Sequence, residues 1–306
     1  MWLLLASEER VQRFSVAIPG SVVSDTPHLR EKTAKLGAIA RACSIFGVTE
    51  IILYIDDPLP TPHRDRVTNL EFCSDILSYI ETPQYLRMRL FKLSPTFRFA
   101  GILPPLQIPS HNVPSSRSEV RVGDFRDGVV VARRGSCVVV DAGLKETVEC
   151  QGSYRIGDRV TLQFIDVGKR LRGEVGEVSK LATSQPDVGS RYWGYQVYKA
   201  QSLSKVLKDR HWDLKIGTSR YGAPVQETLI SLSKNLKNSR STLVAFGSPR
   251  MGLGEILKQE KLDPRDVFDY FVNTAPDQQT ATVRTEEAIF VTLGILNLAG
   301  KVAGSG

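Results

Sequence analysis

The residues best suited to chemistry stand where apolar runs break into loops. The run at 242–246 gives way to Gly247-Ser-Pro-Arg-Met-Gly252-Leu-Gly254. Glycine lets a ligand approach the backbone, and a helix that follows such a loop offers free N–H groups. A dinucleotide fingerprint needs a third glycine where Leu257 stands, and a phosphate-binding P-loop needs Gly-Lys-Ser/Thr. The chain has neither, which removes most of the ground for NAD or ATP chemistry. A second junction covers 272–280, where Asn273 and Thr274 could donate and accept hydrogen bonds around an adenine or a ribose. The third, 281–287, carries Thr282 and Arg284, the latter able to hold a carboxylate or a neighbouring loop. Plainer uses stand beside each: turn glycines, strand closure by Asn273 and Thr274, helix capping by Thr280 or Thr282, and a surface ion pair for Arg284.

A fourth candidate is Arg41, alone among small and apolar residues in the run Gly37-Ala-Ile-Ala-Arg41-Ala-Cys43. A guanidinium there needs a partner, because an unpaired buried charge is costly, and a buried ion pair or a side chain reaching the surface would each supply one. Arg30 and Lys32 lie earlier on the same helical run, as phosphate contacts or as a solvated face. Farther along, Arg133, Arg134, Lys169, Arg170 and Arg172 fall in turns of a β-rich segment. Phe125, Tyr154 and Phe164 of that segment are candidates for base stacking, although Phe164 fits a core better.

These residues require elements that hold them at loop mouths. Residues 14–18 read as a strand and 19–25 as a loop, with Thr26 as N-cap and Pro27 at the first position of a helix that stops at Gly47. The apolar run 48–55 reads as a strand buried on both faces, which completes a βαβ unit. From 93 to 180 the helical period gives way to five short strand signals, the pattern of a small barrel, preceded by a stiff connector bearing Pro104, Pro105, Pro109 and Pro114. The α/β texture then resumes, with strands at 191–199, 212–216, 242–246 and 267–272 and a terminal helix at 285–298. The division is therefore 1–92 and 181–299 for one α/β domain, 93–180 for an inserted β domain, and 300–306 for a flexible tail.

The 306 residues suffice for one large or two medium domains, and 42% apolar with 24% charged residues is ordinary for a globular chain. Forty basic against thirty-three acidic residues give +7, a balance that suits a polyanionic partner. No run has the length of a membrane span, which points to a cytoplasmic protein without a membrane partner. Cys43, Cys73, Cys137 and Cys150 lack metal-ligand spacing and read as buried, reduced thiols, so no metal is expected.

Taken together, residues 37–47, 245–252 and 273–287 resemble the three motifs of the SPOUT superfamily of S-adenosylmethionine-dependent RNA methyltransferases. More closely, Ile18-Pro-Gly-Ser-Val22, Tyr192-Trp-Gly-Tyr195, Ile216-Gly-Thr-Ser-Arg220 and Val283-Arg-Thr-Glu-Glu-Ala-Ile289 resemble the archaeal and eukaryotic subfamily with an inserted OB-like domain. The resemblance implies an α/β sheet with a C-terminal deep trefoil knot, a homodimer, and an RNA substrate, which for that subfamily is large-subunit ribosomal RNA. It assigns cofactor contacts to Arg220, Gly247, Gly252, Asn273, Thr274, Thr282 and Arg284, and a place near the target nucleotide to Arg41. Lys35 stands where the family's first motif has Asn, a departure that weighs against ribose 2′-hydroxyl methylation, and the closer subfamily resembles uridine N3 methyltransferases, which implies methylation of a base, uridine N3. The alternatives are a 2′-O-ribose methyltransferase and an RNA-binding ribosome assembly factor without chemistry.

Overall fold

The computed structural model describes residues 13–56, 63–111, 116–177 and 192–302. They divide into two compact units: one holds Gln12–Glu81, Pro95–Leu106 and Tyr195–Gly306, the other Thr82–Ser94 and Gln107–Gly194.

The first unit is built on six strands: β1 (Arg13–Pro19), β2 (Glu50–Tyr54), β8 (Gln196–Ala200), β9 (Leu214–Pro224), β10 (Ser241–Ala245) and β11 (Tyr270–Asn273). All run parallel, in the order β11-β9-β10-β1-β2-β8. Val16, Ala17 and Ile18 of β1 and Leu243, Val244 and Ala245 of β10 are fully buried, as central strands covered on both faces must be. Alternate side chains serve the two faces. Ala17, Ile52, Tyr54, Leu243 and Ala245 pack with α4 (Leu203–Lys208) and α6 (Leu253–Gln259). The opposite side chains meet a layer in which α1 (Leu29–Ile45) packs on α2 (His63–Glu81) and α8 (Thr285–Val302), and α8 on α5 (Val225–Asn238).

Several boundaries differ from those the sequence predicts, for local reasons. Helix α1 begins at Leu29 with His28 as its cap, because Thr26 is held in a turn: its N–H donates to Val23 and its hydroxyl to Asp25. It does end before Gly47, whose φ of +70° permits the Val48 N–H to reach the Cys43 carbonyl. Strand β9 continues well past Ile216, and Gly222 allows β11 beside it: a Cβ there would stand 2.6 Å from the Val272 carbonyl carbon. Residues Pro264–Val267 form a helical turn (α7) capped by Asp263, so β11 starts only at Tyr270. Strand β8 starts at Gln196, and Arg191 and Pro114 lie outside the described residues. Helix α8 runs on through Gly300 and Lys301, where small residues predict a flexible tail, because its apolar face continues to the buried Ala299; 303–306 lie outside the described residues.

The second unit is a closed five-stranded barrel of β3 (Phe125–Arg134), β4 (Cys137–Asp141), β5 (Val148–Gln151), β6 (Arg159–Asp166) and β7 (Arg172–Val175), in the order β3-β4-β5-β7-β6. Its pairs are antiparallel except β5 with β7. Val130, Val138, Val140, Val148, Leu162 and Phe164 fill it. Phe164 is 1% exposed, so it is a core residue and no stacking platform. Short helix α3 (Gln84–Leu90) belongs to this unit and sends the Tyr85 hydroxyl to the Asp127 carbonyl. The Asp127 carboxylate is buried and accepts from Arg159 (2.6 Å), Thr161 (2.7 Å) and the Trp193 indole (2.9 Å), so this charge is fully met.

All four cysteines are free; Cys43, Cys73 and Cys150 are buried, whereas Cys137 is half-buried. Among the described residues no helix is long and apolar enough to cross a membrane.

Gly128 of β3 is tightly enclosed, with a built Cβ lying 2.3 Å from Val140 Cγ1 and 3.0 Å from the Asp141 carbonyl. Gly128→Ala is therefore expected to destabilise by about 1–3 kcal/mol through overpacking, read as a lower thermal midpoint of the barrel transition. An unchanged midpoint would show that β3 and β4 separate freely at this point.

Candidate functional site

In an open parallel sheet the loops after the strands' carboxyl ends form the natural ligand crevice. Here β11, β9 and β10 are neighbours, and they carry most of the residues singled out in the sequence. After β10, Gly247 enters a tight loop: a Cβ there would lie 2.7 Å from the Leu253 nitrogen. The Ser248 N–H donates to the Met251 carbonyl (2.8 Å), and the Met251 N–H to the Ser248 hydroxyl (3.0 Å). Gly252 caps α6, its N–H bound to the Glu255 carboxylate at 2.9 Å.

Arg220 of β9 joins the loops after β11. Its guanidinium donates to the Ala281 carbonyl at 3.3 Å, while its own carbonyl accepts from the Asn273 side-chain amide at 3.0 Å. Asn273 Oδ1 accepts the Ala275 N–H, and Thr274 shares a 2.8 Å hydroxyl contact with the buried Thr292 of α8. Thr282 contributes a carbonyl to the Thr280 hydroxyl, and the start of α8 is closed by the Arg284 N–H on Glu287 Oε2 (2.9 Å). The cap of that helix is therefore a carboxylate on a backbone donor, and neither Thr280 nor Thr282 fills the role. Arg284 and Arg220 are exposed cations at this edge.

Next along the sheet edge, β1 and β2 bring together residues that sequence reasoning missed. Asp56, just after β2, is 4% exposed and accepts from the Ser21 N–H (3.3 Å) and hydroxyl (2.5 Å). Burial pushes the Asp56 carboxyl above its ordinary value of 3.8, against the lowering effect of bonds from Ser21, its own backbone and Ser248. Buried Tyr54 donates its hydroxyl to the Phe246 carbonyl beside the Gly247 loop. The only sequence signal was a carboxylate closing the apolar run 48–55.

Lys35, which stands in the first motif, is a buried bridge. Its ammonium lies 2.8 Å from both Asp25 oxygens and 3.3 Å from Glu286 in the first turn of α8. Partial burial works to raise the Asp25 pKa, but the bond and charge of Lys35, with the Thr26 hydroxyl, hold it below 3.8.

Arg41 is not in this constellation. It lies six residues beyond Lys35 on α1, roughly 9 Å farther from the carboxyl edge at the helical rise. Its guanidinium donates to the carbonyls of Pro105 (3.2 Å) and Leu106 (2.8 Å). One turn earlier, Gly37 makes room for the same connector, since a Cβ there would meet Pro104 Cδ at 2.8 Å. Arg30 is exposed and Lys32 half-buried at the start of the helix, near the carboxyl edge.

In the barrel, Arg134 and Arg170 both approach Glu149, at 3.6 and 3.9 Å, and Arg172 is that residue's register partner. Arg133 donates to Ser153, and Lys169 is exposed beside Arg170. One carboxylate thus stands among exposed cations of which only Lys169 and Arg170 lie in a turn as the sequence predicts; Arg133 and Arg134 end β3 and Arg172 begins β7, because the ladders to β4 and β5 extend through them. Phe125 meets Trp193 edge-on at 6.2 Å, and Tyr154 packs on Gly152.

Sequence comparison assigns the class. Residues 13–296 match the model of a family described as "Putative RNA methyltransferase", and the chain belongs to that family of RNA methyltransferases. It is 34% identical to the 28S rRNA (uridine-N(3))-methyltransferase of Mus musculus, over 95% of this chain and 77% of that one. It is 33% identical to the Homo sapiens protein of the same name, over 94% of this chain and 78% of that one. Identity to the Drosophila melanogaster protein of that name is 30%, over 92% of this chain and 61% of the other.

Replacing Lys35 by Met leaves Glu286 and Asp25 without their shared cation. Because Asp25 keeps some access to water, the expected cost is near the lower end of the range for a broken buried pair, about 3 kcal/mol, measured by urea unfolding at neutral pH. The Asp25 carboxyl has a depressed pKa in the fold, so the stability it contributes is present above 3.8 and is lost as pH falls through the lower folded value. The gap between wild type and Lys35→Met should accordingly narrow in strongly acidic buffer; a constant gap would mean the pair does not set it.

Proposed function

We propose that the protein transfers a methyl group from S-adenosylmethionine to a base, uridine N3, in large-subunit ribosomal RNA. The observation that carries this reading is similarity over nearly the whole chain to relatives named for that reaction in mouse and human.

The residues at the strand ends fit such a cofactor by their chemistry. Arg220 and Arg284 supply positive charge for its carboxylate, glycines 247 and 252 leave backbone groups approachable, and Asn273 and Thr274 present side-chain donors and acceptors; Thr282 completes the set. When bound, the cofactor supplies an electrophilic methyl on sulfur. What the chain must then do is hold the acceptor in line with that methyl and assist loss of a proton. The reading includes a trefoil knot formed by the segment from Asn273 to Glu287, supported by the bonds that tie Arg220 to both Asn273 and Ala281.

The barrel, taken as an OB-like domain inserted at 93–180, grips RNA in this proposal. Its strand order with one parallel pair supports the fold assignment, and Arg133, Arg134, Lys169 and Arg170 supply the phosphate contacts. Arg30 and Lys32 serve the same purpose at the sheet edge. A homodimer is supported by apolar side chains left exposed on α1, α5 and α8: Ile45, Ile230, Phe290, Val291 and Leu298. Arg41 keeps its proposed place near the nucleotide through such a second copy, since within one chain it lies down the helix from the crevice. Four free thiols are in keeping with a cytoplasmic location.

Incubation with labelled S-adenosylmethionine and unmodified ribosomal RNA should give N3-methyluridine on nucleoside mass spectrometry, and none with Gly247→Val, whose cofactor affinity should fall with it. A 2′-O-methyl product, or no label with wild-type protein that binds cofactor, would overturn the reading. Charge reversal at Arg134 and Arg170 should leave cofactor binding intact and raise KM for RNA. It should also lower the slope of log affinity against log salt by about 1.4, at about 0.7 for each single-strand phosphate that an arginine neutralises.

A further inference from the structure

The cofactor loops account for the ends of β9, β10 and β11, but not for the polar group at the ends of β1 and β2. Asp56 is buried there, yet its carboxylate is held from loops that border the crevice. Ser21, half-buried in the turn after β1, supplies its N–H and its hydroxyl. Ser248, next to Gly247, stands near enough to lower the Asp56 pKa, although its hydroxyl donates to the Met251 carbonyl at 3.3 Å. Because β1 is the neighbour of β10, Ser21 stands at the strand end adjoining the Gly247 loop, beside the proposed cofactor loops.

Uridine N3 carries a proton that has to leave as the ring nitrogen is alkylated. At neutral pH the free base holds it, so a positioned acceptor is worth a substantial factor in rate. Of the described carboxylates near this edge, Asp25 is neutralised by Lys35 and Glu255 caps α6. Asp56 differs from both in being buried and joined to the hydroxyl of a half-buried serine.

We propose that Ser21 and Asp56 form a proton relay for the target base, an inference that rests on the uridine reading above. The Ser21 oxygen takes the N3 proton while its own hydroxyl proton passes to Asp56. The N3 electron pair forms the bond to the methyl carbon, and the carbon–sulfur bond breaks with its electrons returning to sulfur. Asp56 is left as a neutral carboxylic acid and returns its proton to water before the next cycle. Ser21 is the residue that touches substrate, and Asp56 acts through it. The raised pKa of Asp56, caused first by its burial, favours it as a proton acceptor. The described ionisable groups facing it are Tyr54 on β2 and Cys73 on α2, with Lys32 and Lys35 of α1 beyond Cys73 and Glu260 beyond Tyr54. Tyr54 and Cys73 are themselves pushed upward by burial, Cys73 to about 12, so both stay neutral across the working range.

The test is the rate of methyl transfer at saturating cofactor and RNA, from about pH 6 to about pH 9, for wild type, Asp56→Asn, Ser21→Ala and Ser21→Thr, with cofactor affinity measured alongside. Asp56→Asn and Ser21→Ala should be slower at neutral pH by about 10²-fold, and the deficit should shrink as pH rises towards the range where uridine ionises unaided. Ser21→Thr, which keeps the hydroxyl, should recover most of the rate, and cofactor affinity should be unchanged in all three. A deficit uniform across pH, a matching loss of cofactor affinity, or a wild-type rate in Ser21→Ala would overturn the relay. Should wild type itself yield no N3-methyluridine, the uridine reading falls first, which is a different result from an active wild type with pH-independent variants.

Discussion

One buried ammonium fixes the geometry on which the site depends. Lys35 joins the turn after the first strand, through Asp25, to the first turn of the last helix, through Glu286. Those two segments are almost the whole chain apart, and each borders a loop at the carboxyl edge: β1–α1 on one side, the 273–284 segment on the other. A hydrophobic replacement of similar volume would fill the space at little cost only if both carboxylates went with it, because either one left alone is a buried or half-buried charge. The bridge therefore acts as a register device, setting where α8 begins relative to the sheet. Thr274 meets Thr292 about a turn and a half farther along the same helix, and this neutral pair repeats the constraint.

The contrast between α1 and its motif follows from helix geometry. The run Gly37 to Arg41 can be read as a functional signature because a lone guanidinium among small residues demands a partner. The structure supplies one that composition could not reveal: two backbone carbonyls of a proline-rich connector more than sixty residues away. Prolines 104 and 105 have no N–H to offer, so carbonyls are what that connector presents, and an arginine matches them. The same need for close approach explains Gly37. Structural and chemical uses of one residue are compatible here, since both bonds to the connector come from a single guanidinium nitrogen, Nη1, and the fork carries further donors.

Much of the fold was legible in the sequence because parallel strands buried on both faces are continuous apolar runs, and the five β-rich runs between 125 and 175 close into a barrel as their number and shortness implied. What escaped was set by tertiary contact. Thr26 looks like a cap until Val23 and Asp25 take its polar groups, and β9 outlasts its apolar run because Gly217 admits the Phe268 and Phe271 side chains and Gly222 the backbone of β11. Small residues that serve a neighbour's shape leave no periodic signal. Asp56 escaped for the same reason: a single carboxylate after an apolar strand reads as a loop residue, and its role depends on Ser21 arriving from the turn after β1.

The carboxyl edge then divides by chemistry. Towards β9 and β11 it is cationic and rich in backbone groups, with Arg220 and Arg284 exposed, which suits a ligand bearing a carboxylate and a bent, polar body. Towards β1 and β2 it holds a buried acid behind a hydroxyl. In the proposed reaction a cofactor bearing a carboxylate and an acceptor that must lose a proton make opposite demands, and the cations and the buried carboxylate stand on different flanks of the edge. Separation of the two along the sheet, with the Gly247 loop between them, lets one edge serve both demands, while the pairing of Lys35 with Asp25 and Glu286 commits that ammonium elsewhere.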